Sequence, residues 1–413
     1  MPHGQPSPSL DLDAVLGDPG IRIVVCCGAG GVGKTTTAAA LALRAAERHG
    51  RRTVVLTIDP ARRLAQAMGL TELDNTPRPV PGVPVGTDGP RGSGDAPEDA
   101  GAEAEPHTGE LHAMMLDMKR TFDEVVLTHS SPQQAEEIFA NPFYQAMSST
   151  FAGTQEYMAM EKLSQLSEID ITDGGWDLIV VDTPPSRSAL DFLDAPKRLA
   201  RFLDSRMLRI LLTPARAGGL SVLKVLGSSL NLFGRTMQKI LGAQLIGDLS
   251  TFVASFDSMF GGFADRSART YRVLQAKQTA FLVVATPEPD AIREAGYFAG
   301  RLAAERMPLA GLVLNRVHGV AAGGLSAERS LAAAESLSAP SAKPSSEATL
   351  AADILLLHAN LVRQVAREQR IADRFRRAHP AVPMTEVPAQ PQDVHDLDGL
   401  REIGAALADQ TQR

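Results

Sequence analysis

A glycine-rich segment near the start of the chain, GAGGVGKTTT at residues 28–37, has the residue types and spacing needed to hold a chain of phosphates. It fits the pattern G-x-x-x-x-G-K-S/T, follows the apolar run IRIVVCC at 21–27, and leads into an Ala/Leu-rich stretch typical of a helix. Glycines let backbone N–H groups surround an anion, and the helix N-terminus adds a favourable dipole. The pattern predicts a nucleoside triphosphate site rather than a structural glycine turn.

Individual residues of this loop have distinct predicted roles. The ammonium of Lys34 is expected to reach the β- and γ-phosphates, and the hydroxyl of Thr35 is expected to bind Mg²⁺. The remaining nucleotide-binding positions of the loop are Gly28, Gly30, Gly31, Val32, Gly33 and Thr36.

Two carboxylates follow later apolar runs. Asp59 lies in TIDPA at 57–61, and Asp182 lies in VVDTPP at 180–185. Ligands of doubly wound sheets bind at the carboxyl ends of the strands. We therefore expect Asp59 to orient the attacking water or hold Mg²⁺ through water, and Asp182 to support Mg²⁺. Asp59 also suits the N-cap of a following helix with proline at its first position, and the two roles are compatible.

Composition limits the classes of function. A net charge of −7 argues against general nucleic-acid binding, which needs a basic balance. The two cysteines, Cys26 and Cys27, are adjacent within a predicted strand and lack metal-ligand spacing, so we interpret them as small buried hydrophobes. The N-terminal residues do not resemble a secretory signal, and no apolar run is long enough to span a bilayer. These observations predict a cytoplasmic protein without a membrane span.

Short apolar runs that alternate with helical segments predict an α/β fold with a doubly wound, mostly parallel sheet. Residues 111–170 and 196–275 are interpreted as helices that form an inserted helical subdomain at about 111–275. Residues 1–18 are expected to be a flexible tail before a single domain at 19–413. The predicted strands are 21–27, 53–58, 177–181, 281–285, 311–314 and 383–387, and the low-complexity insertions are 75–109 and 321–348, the latter with a short helix at its centre.

The motifs GAGGVGKTTT, TIDPA and DTPP, together with a long helical insertion, resemble those of the ArsA-type ATPases. These are P-loop NTPases of the SIMIBI class that include the arsenite-pump ATPase and the ATPase that targets tail-anchored membrane proteins. The resemblance is more distant to the Min and Par positioning ATPases, and the long helical insertion disfavours a Par-type role. It implies Mg²⁺-dependent ATP hydrolysis in a nucleotide-driven dimer that controls a client- or partner-binding helical subdomain.

The resemblance also implies roles for particular residues. Asp59 matches the switch I aspartate that activates water, and residues 182–193 match switch II. Asn315 matches the asparagine that reads adenine, and residues 388–394, beginning at Pro388, match the segment that closes over the base. From the residues alone, Asn315 is equally a loop or cap residue at the end of a strand.

The chain departs from the family at the second position of the loop. The family carries lysine there and uses it to reach the partner's nucleotide, whereas this chain has Ala29. Three interpretations remain open: a lysine from a different subunit, a substitute cation in this chain, or weak activity. Arg187 is the candidate cation in switch II, and Arg62 and Arg63 follow switch I, although solvated surface arginines are the default interpretation. The arsenite pump needs cysteines in its helical region, which this chain lacks, so metalloid transport is disfavoured.

Residues 223–263 carry methionine, phenylalanine and leucine mostly at spacings of three or four, which indicates amphipathic helices. They either fill the core of the helical subdomain or line a groove for a hydrophobic-helix client protein, with MAMEKL at 158–163, Phe151 and Tyr157 as the opposite wall. We interpret the chain as an Mg²⁺-dependent ATPase, preferably in a heterodimer with a lysine-bearing paralogue. The alternatives are self-association and a non-catalytic ATP-binding subunit.

Overall fold

The computed structural model describes residues 8–58, 63–83, 109–142, 144–145, 154–169, 174–184, 268–339 and 345–408. Within these residues eight strands form one sheet: β1 (Ile23–Gly28), β2 (Thr53–Thr57), β3 (Arg78–Pro79), β4 (Leu111–Met115), β5 (Leu178–Asp182), β6 (Thr279–Ala285), β7 (Leu309–Val317) and β8 (Met384–Pro388). Their order is β3-β4-β2-β5-β1-β6-β7-β8. All neighbours run parallel except β3 and β4.

All six predicted strands are present, and the predicted doubly wound α/β fold is confirmed. Every residue of β1, β2, β5 and β6 is buried, as expected for central parallel strands covered on both faces. Apolar side chains therefore follow one another without the alternation of a half-exposed strand.

The described residues include the helices α1 (Leu12–Gly17), α2 (Lys34–His49), α3 (Arg63–Ala67), α4 (Met118–His129), α5 (Pro132–Ala140), α6 (Thr154–Glu168), α7 (Pro289–Ala304), α8 (Ala327–Leu337), α9 (Ser346–Ala378) and α10 (Leu397–Ala408). Helix α2 packs against β1, β2 and β5, and α10 packs against α2 and β8. Helix α7 packs against β1, β6 and β7, and it also contacts α9. Within the described part of the chain, no helix is long and apolar enough to cross a bilayer.

The expectation that residues 1–18 form a flexible tail is wrong for residues 8–17. Helix α1 lies within this range, its N-terminus is capped by Asp11, and its Leu12 and Leu16 are buried. Ser9 also forms a parallel bridge with Met384 of β8. The two buried leucines and the N-cap stabilise this short segment, although the sequence before it is polar and contains prolines.

The interpretation of residues 111–170 as wholly helical is wrong at its start. Residues 111–115 form β4, which pairs in parallel with β2 and in antiparallel with β3. The sequence LHAMM has no strong β preference, so its place in the sheet is decided by the neighbouring strand. The helical region therefore begins at α4 in the structure.

The two low-complexity insertions contain ordered elements. The described part of 75–109 includes β3 and the buried Asn75 and Val80. The short helix predicted within 321–348 is confirmed as α8, which packs against α9. Alanine-rich helices pack closely because small side chains let their axes approach, so α8 needs few large apolar residues.

Candidate functional site: the phosphate loop and its carboxylate

The glycine-rich loop connects β1 to α2. At Gly28 the backbone φ is +152°, and an added Cβ would lie 2.1 Å from the carbonyl oxygen of Val284. At Gly33, which precedes the first turn of α2, φ is +94° and an added Cβ would lie 2.2 Å from Asn315 Nδ2. Gly28 therefore has no space for a side chain, because the clash is with backbone, and Gly33 disfavours one because its positive φ is strained for any other residue.

Lys34 begins α2 and turns back across the loop. Its side chain is buried, and Nζ donates a hydrogen bond to the carbonyl oxygen of Ala29 at 2.8 Å. Because Ala29 and Lys34 stand at opposite ends of the loop, this bond holds the ammonium over the backbone that connects them. A buried cation at a helix N-terminus attracts an anion strongly, since solvent screens it little.

Asp182, the last residue of β5, lies beside the loop. It is paired in register with Cys26 of β1 and with Thr57 of β2, so it lies where three carboxyl ends meet. Its carboxylate is fully buried and accepts hydrogen bonds at Oδ2 from Thr35 Oγ1 at 2.7 Å and Thr57 Oγ1 at 2.9 Å. Two hydroxyl donors stabilise the charged carboxylate in this buried position.

Two threonines of this site were not predicted. Thr57 shares Asp182 with Thr35, and Thr183 Oγ1 donates to the carbonyl oxygen of Cys26 at 2.8 Å. The second bond fastens the start of the segment after β5 to β1. The sequence signal for Thr57 is its place two residues before Asp59, and that for Thr183 is its place directly after Asp182, within the segment matched to switch II.

Asn315 reaches the phosphate loop from β7. Its Nδ2 donates to the carbonyl oxygen of Val32 at 2.9 Å, and its Oδ1 accepts from the backbone N–H of Arg316 at 2.9 Å. Arg316 has a φ of +60°, so the strand turns sharply just after Asn315. Pro388 ends the adjacent strand β8, and its neighbour Ala389 donates to the carbonyl oxygen of Val317. The two predicted adenine-site residues thus lie at the carboxyl ends of neighbouring strands, Asn315 two residues before the end of β7 and Pro388 at the end of β8.

The family model described as anion-transporting ATPase, ArsA ATPase, matches residues 21–320. The chain belongs to the ArsA ATPase family. It is similar to the ATPase get3 of Schizosaccharomyces pombe, with 26% identity over 193 residues, which is 46% of this chain and 48% of the relative. It is also similar to the ATPase GET3 of Malassezia globosa, with 25% identity over 194 residues, or 46% of this chain and 47% of the relative. The chain spans about half the length of the curated relatives it matches.

The cysteines of this ArsA-family chain are buried, as predicted. Burial raises the pKa of the Cys27 thiol to about 12, and burial followed by the nearby Asp182 charge raises that of Cys26 well above its usual value. Both thiols therefore stay protonated at neutral pH and act as small core side chains.

Some predicted functional residues lie outside the described residues: Asp59, Arg62, Arg187, the remainder of switch II after residue 184, Phe151 and the stretch 223–263. Arg63 is the exposed first residue of α3. In α6, the side chains of Met158, Met160 and Leu163 are buried in the main hydrophobic core. Of the two alternatives for MAMEKL, core and groove wall, these side chains therefore favour the core, because they pack inward.

Proposed function

We propose that this ArsA-family chain binds ATP at residues 28–37 and hydrolyses it with Mg²⁺. The observation that carries the proposal is the buried carboxylate of Asp182, which accepts hydrogen bonds from Thr35 and Thr57 beside the N-terminus of α2. Carboxylate and hydroxyl oxygens are the hard ligands that suit Mg²⁺, and the helix N-terminus suits phosphate. The donor set thus fits the metal and the nucleotide together.

Each group of the site has a part in this reaction. Thr35 and Asp182 would hold Mg²⁺, which would supply positive charge for the β- and γ-phosphates. Lys34 leaves the carbonyl oxygen of Ala29 and neutralises charge that grows on the transferred phosphoryl group. Asp59 orients the attacking water, and Asn315 exchanges its bond with Val32 for one to the base. The structure describes the geometry of the loop, Asp182 and Asn315, whereas Asp59 lies outside the described residues.

We further propose that hydrolysis needs a second subunit. Ala29 has no charge to offer across a dimer, and its carbonyl oxygen accepts a hydrogen bond from Lys34 of the same chain. A cationic group supplied by a partner contributes about 10³–10⁵ in rate in related phosphoryl-transfer systems. A heterodimer with a lysine-bearing paralogue therefore best explains a complete phosphate site that lacks this residue.

The second candidate is a non-catalytic subunit that binds ATP to hold a complex together. The same substitution at Ala29 favours it, because a site built to bind but not to accelerate hydrolysis needs no such cation. Turnover of the isolated chain, compared with turnover after mixing with a lysine-bearing paralogue, separates the two functions. Acceleration on mixing supports the first candidate, and binding without turnover under both conditions supports the second.

Nucleotide-dependent binding of a hydrophobic-helix client remains part of the proposal on sequence grounds. Its support is the Met/Phe-rich pattern at 223–263, because the buried methionines of α6 no longer contribute. An apolar fluorescent probe should bind differently with ADP and with a non-hydrolysable ATP analogue. Equal probe binding in both nucleotide states would contradict nucleotide-dependent client binding and would leave the ATPase proposal intact.

The site itself is tested by Lys34→Ala with equilibrium dialysis of ATP. The variant should lose ATP binding, whereas Asp59→Asn should bind ATP and hydrolyse it slowly. Lys119→Ala is the matched control, since Lys119 is an exposed helical lysine that pairs only locally with Asp123. Unchanged ATP affinity in Lys34→Ala would show that this loop is not the nucleotide site.

A further inference from the structure

Asn315 lies where the pairing of strand β7 is interrupted. Strand β6 pairs with β7 as far as Leu314, and β8 pairs with β7 at Leu314 and next at Val317. Asn315 and Arg316 therefore have no register partner in the described sheet, and Arg316 has a φ of +60°. The position of Asn315 depends instead on its bond to the phosphate loop and on the contacts that hold the residues after it.

Two anchors hold these following residues. The carbonyl oxygen of Val317 accepts a hydrogen bond from the backbone N–H of Ala389 at 3.0 Å. The backbone N–H of His318 donates to Oε2 of Glu368 in α9 at 2.9 Å, and the ring Nδ1 of His318 lies 2.8 Å from Oε1. Hydrogen bonds to an ionised carboxylate are stronger than those between neutral groups, so the second anchor is the stronger one.

The Glu368 carboxylate has donors at both oxygens. Gln364, one helical turn earlier, donates from Nε2 to Oε1 at 2.9 Å, and with its proton on Nδ1 the His318 ring donates to the same oxygen. The Glu368 side chain is only 9% exposed. Removing this acceptor leaves part-buried donors without a partner, which is costly.

Glu368 also lies next to the part of α9 that is fixed to the body of the protein. Ala372 and Phe375 of the same helix are buried in the main hydrophobic core. Arg376 donates to Glu386 of β8 at 2.5 Å, and the helix contacts α7 and β7. The carboxylate therefore has a defined position from which it can hold the chain after Asn315.

We propose that Glu368 and His318 are positioning residues for base recognition by Asn315. They hold the end of β7 against α9, which keeps the Asn315 amide beside the phosphate loop. The inference rests on the proposed function, in which residues 28–37 bind ATP and Asn315 bonds the base. It adds that α9 contributes to selection of a nucleotide over a phosphate chain without a base.

Two probes separate base binding from phosphate binding: ATP, and inorganic tripolyphosphate, which carries three linked phosphates and no base. Calorimetric titration of the full chain with Mg²⁺ measures both affinities. Glu368→Gln should weaken ATP binding about tenfold, because its amide group cannot accept from every donor that the carboxylate serves. Tripolyphosphate binding should be unchanged. Glu347→Gln is the matched control, since Glu347 is exposed in the first turn of the same helix.

A second pair of variants tests the same contact from the histidine. The His318 side chain is 39% exposed, so its replacement leaves the core intact. His318→Ala should weaken ATP binding less than Glu368→Gln does, because the backbone bond to Glu368 survives. His318→Asn should restore the affinity, since its amide can donate from near the position of Nδ1. Equal ATP binding by wild type and His318→Ala would overturn the role of the ring, and unchanged melting temperatures would show that the variants fold.

A double variant tests whether Glu368 acts through Asn315. Asn315→Ala combined with Glu368→Gln should bind ATP as Asn315→Ala does, because the positioning residue has nothing left to position. Losses that multiply, or equal weakening of both probes by Glu368→Gln, would overturn the inference and leave ATP binding intact. Normal ATP affinity in Asn315→Ala would contradict the base contact on which the inference rests. A wild-type chain that binds neither probe would contradict the proposed function, and the inference with it.

Discussion

Helices α2 and α9 show two ways in which a helix serves a protein of this kind. Ten of the sixteen residues of α2 are buried, whereas five of the thirty-three residues of α9 are buried. Helix α2 is therefore held by the sheet and by α10, and its N-terminus has one position relative to Asp182. Helix α9 is held along one side and leaves most of its length as surface. A catalytic site needs a helix that is fixed by burial, as α2 is, whereas a surface that binds a partner needs a helix with exposed side chains, as α9 has.

The two helices are linked by polar contacts at the end of β7. Asn315 bonds the phosphate loop at Val32, and three residues later His318 bonds Glu368 of α9. Glu368 is buried and accepts from the backbone N–H of His318 at 2.9 Å, while the His318 Nδ1 lies 2.8 Å from the other carboxylate oxygen. The segment 315–318 thus contacts both the candidate nucleotide site and the exposed helix.

The largest expected effect is on the buried helix. Leu41→Ala in α2 should lower the free energy of unfolding by about 2–5 kcal/mol, because it leaves a cavity between the helix and the sheet. Leu357→Ala in α9 should change it by no more than about 0.5 kcal/mol at concentrations where the chain is monomeric. Chemical denaturation measures both values, and similar losses at the two positions would contradict the contrast between the helices.

The next effect concerns the glycine at the start of α2. Gly33→Ala should abolish ATP binding and destabilise the loop by about 1–3 kcal/mol, since φ is +94° and the new Cβ meets Asn315. Gly324→Ala is the control, because an added Cβ there meets nothing within 4 Å. Calorimetric titration with ATP is the measurement. Normal affinity in Gly33→Ala would mean that the loop tolerates a different conformation from the one described.

A smaller effect is expected at the unpredicted threonine. Thr57→Val keeps the side-chain shape but removes one of the two hydroxyl donors to Asp182, which should cost about 1–3 kcal/mol of stability. The same change should weaken the dependence of nucleotide binding on Mg²⁺. Thr349→Val is matched in chemistry but removes only an exposed bond to Ser345 near the start of α9. Equal behaviour of the two variants would show that Thr57 does not support the carboxylate.

The smallest effect tests how α2 is anchored to α1. The hydrogen bonds from Arg44, assisted by His49, lower the pKa of Asp13 to about 2 despite partial burial. A depressed carboxyl pKa stabilises the folded state above the unfolded value of about 3.9, and this contribution is lost as pH falls towards 2. Asp13→Asn should therefore lower stability at pH 7 by less than about 1 kcal/mol, because the pair is partly exposed.

Denaturation at several pH values measures this last difference. The gap between wild type and Asp13→Asn should be constant from pH 7 to about pH 5 and should close between about pH 4 and pH 2. Arg376 and Asp373 provide a comparison on α9, where Asp373→Asn removes a more exposed pair three residues apart. A gap that widens towards low pH would contradict the assigned cause of the Asp13 shift.

Local pattern was sufficient to predict the central strands and the turn between β1 and α2. The glycines, Lys34 and Thr35 lie within ten consecutive residues, so their relation is set by one turn between a strand and a helix. Continuous apolar runs predicted β1, β2, β5 and β6 because a strand buried on both faces needs apolar side chains at every position. The position of Asp182 at the end of a strand was predictable for the same reason, since it ends such a run.

Contacts between distant parts of the chain needed the tertiary structure. LHAMM became β4 only because β2 lies alongside it, and Met158 proved to be core only once α6 was packed. Thr57 meets Asp182 through the register of two strands, and Asn315 meets Val32 across 283 positions of sequence. A one-residue change of register turns a strand side chain to the other face, so sequence type alone cannot assign these partners. The fold likewise decides that Leu350, Ile354 and Leu357 of α9 are exposed, because α8 packs along this helix and the buried Ala352 and Ala359 lie on its other side.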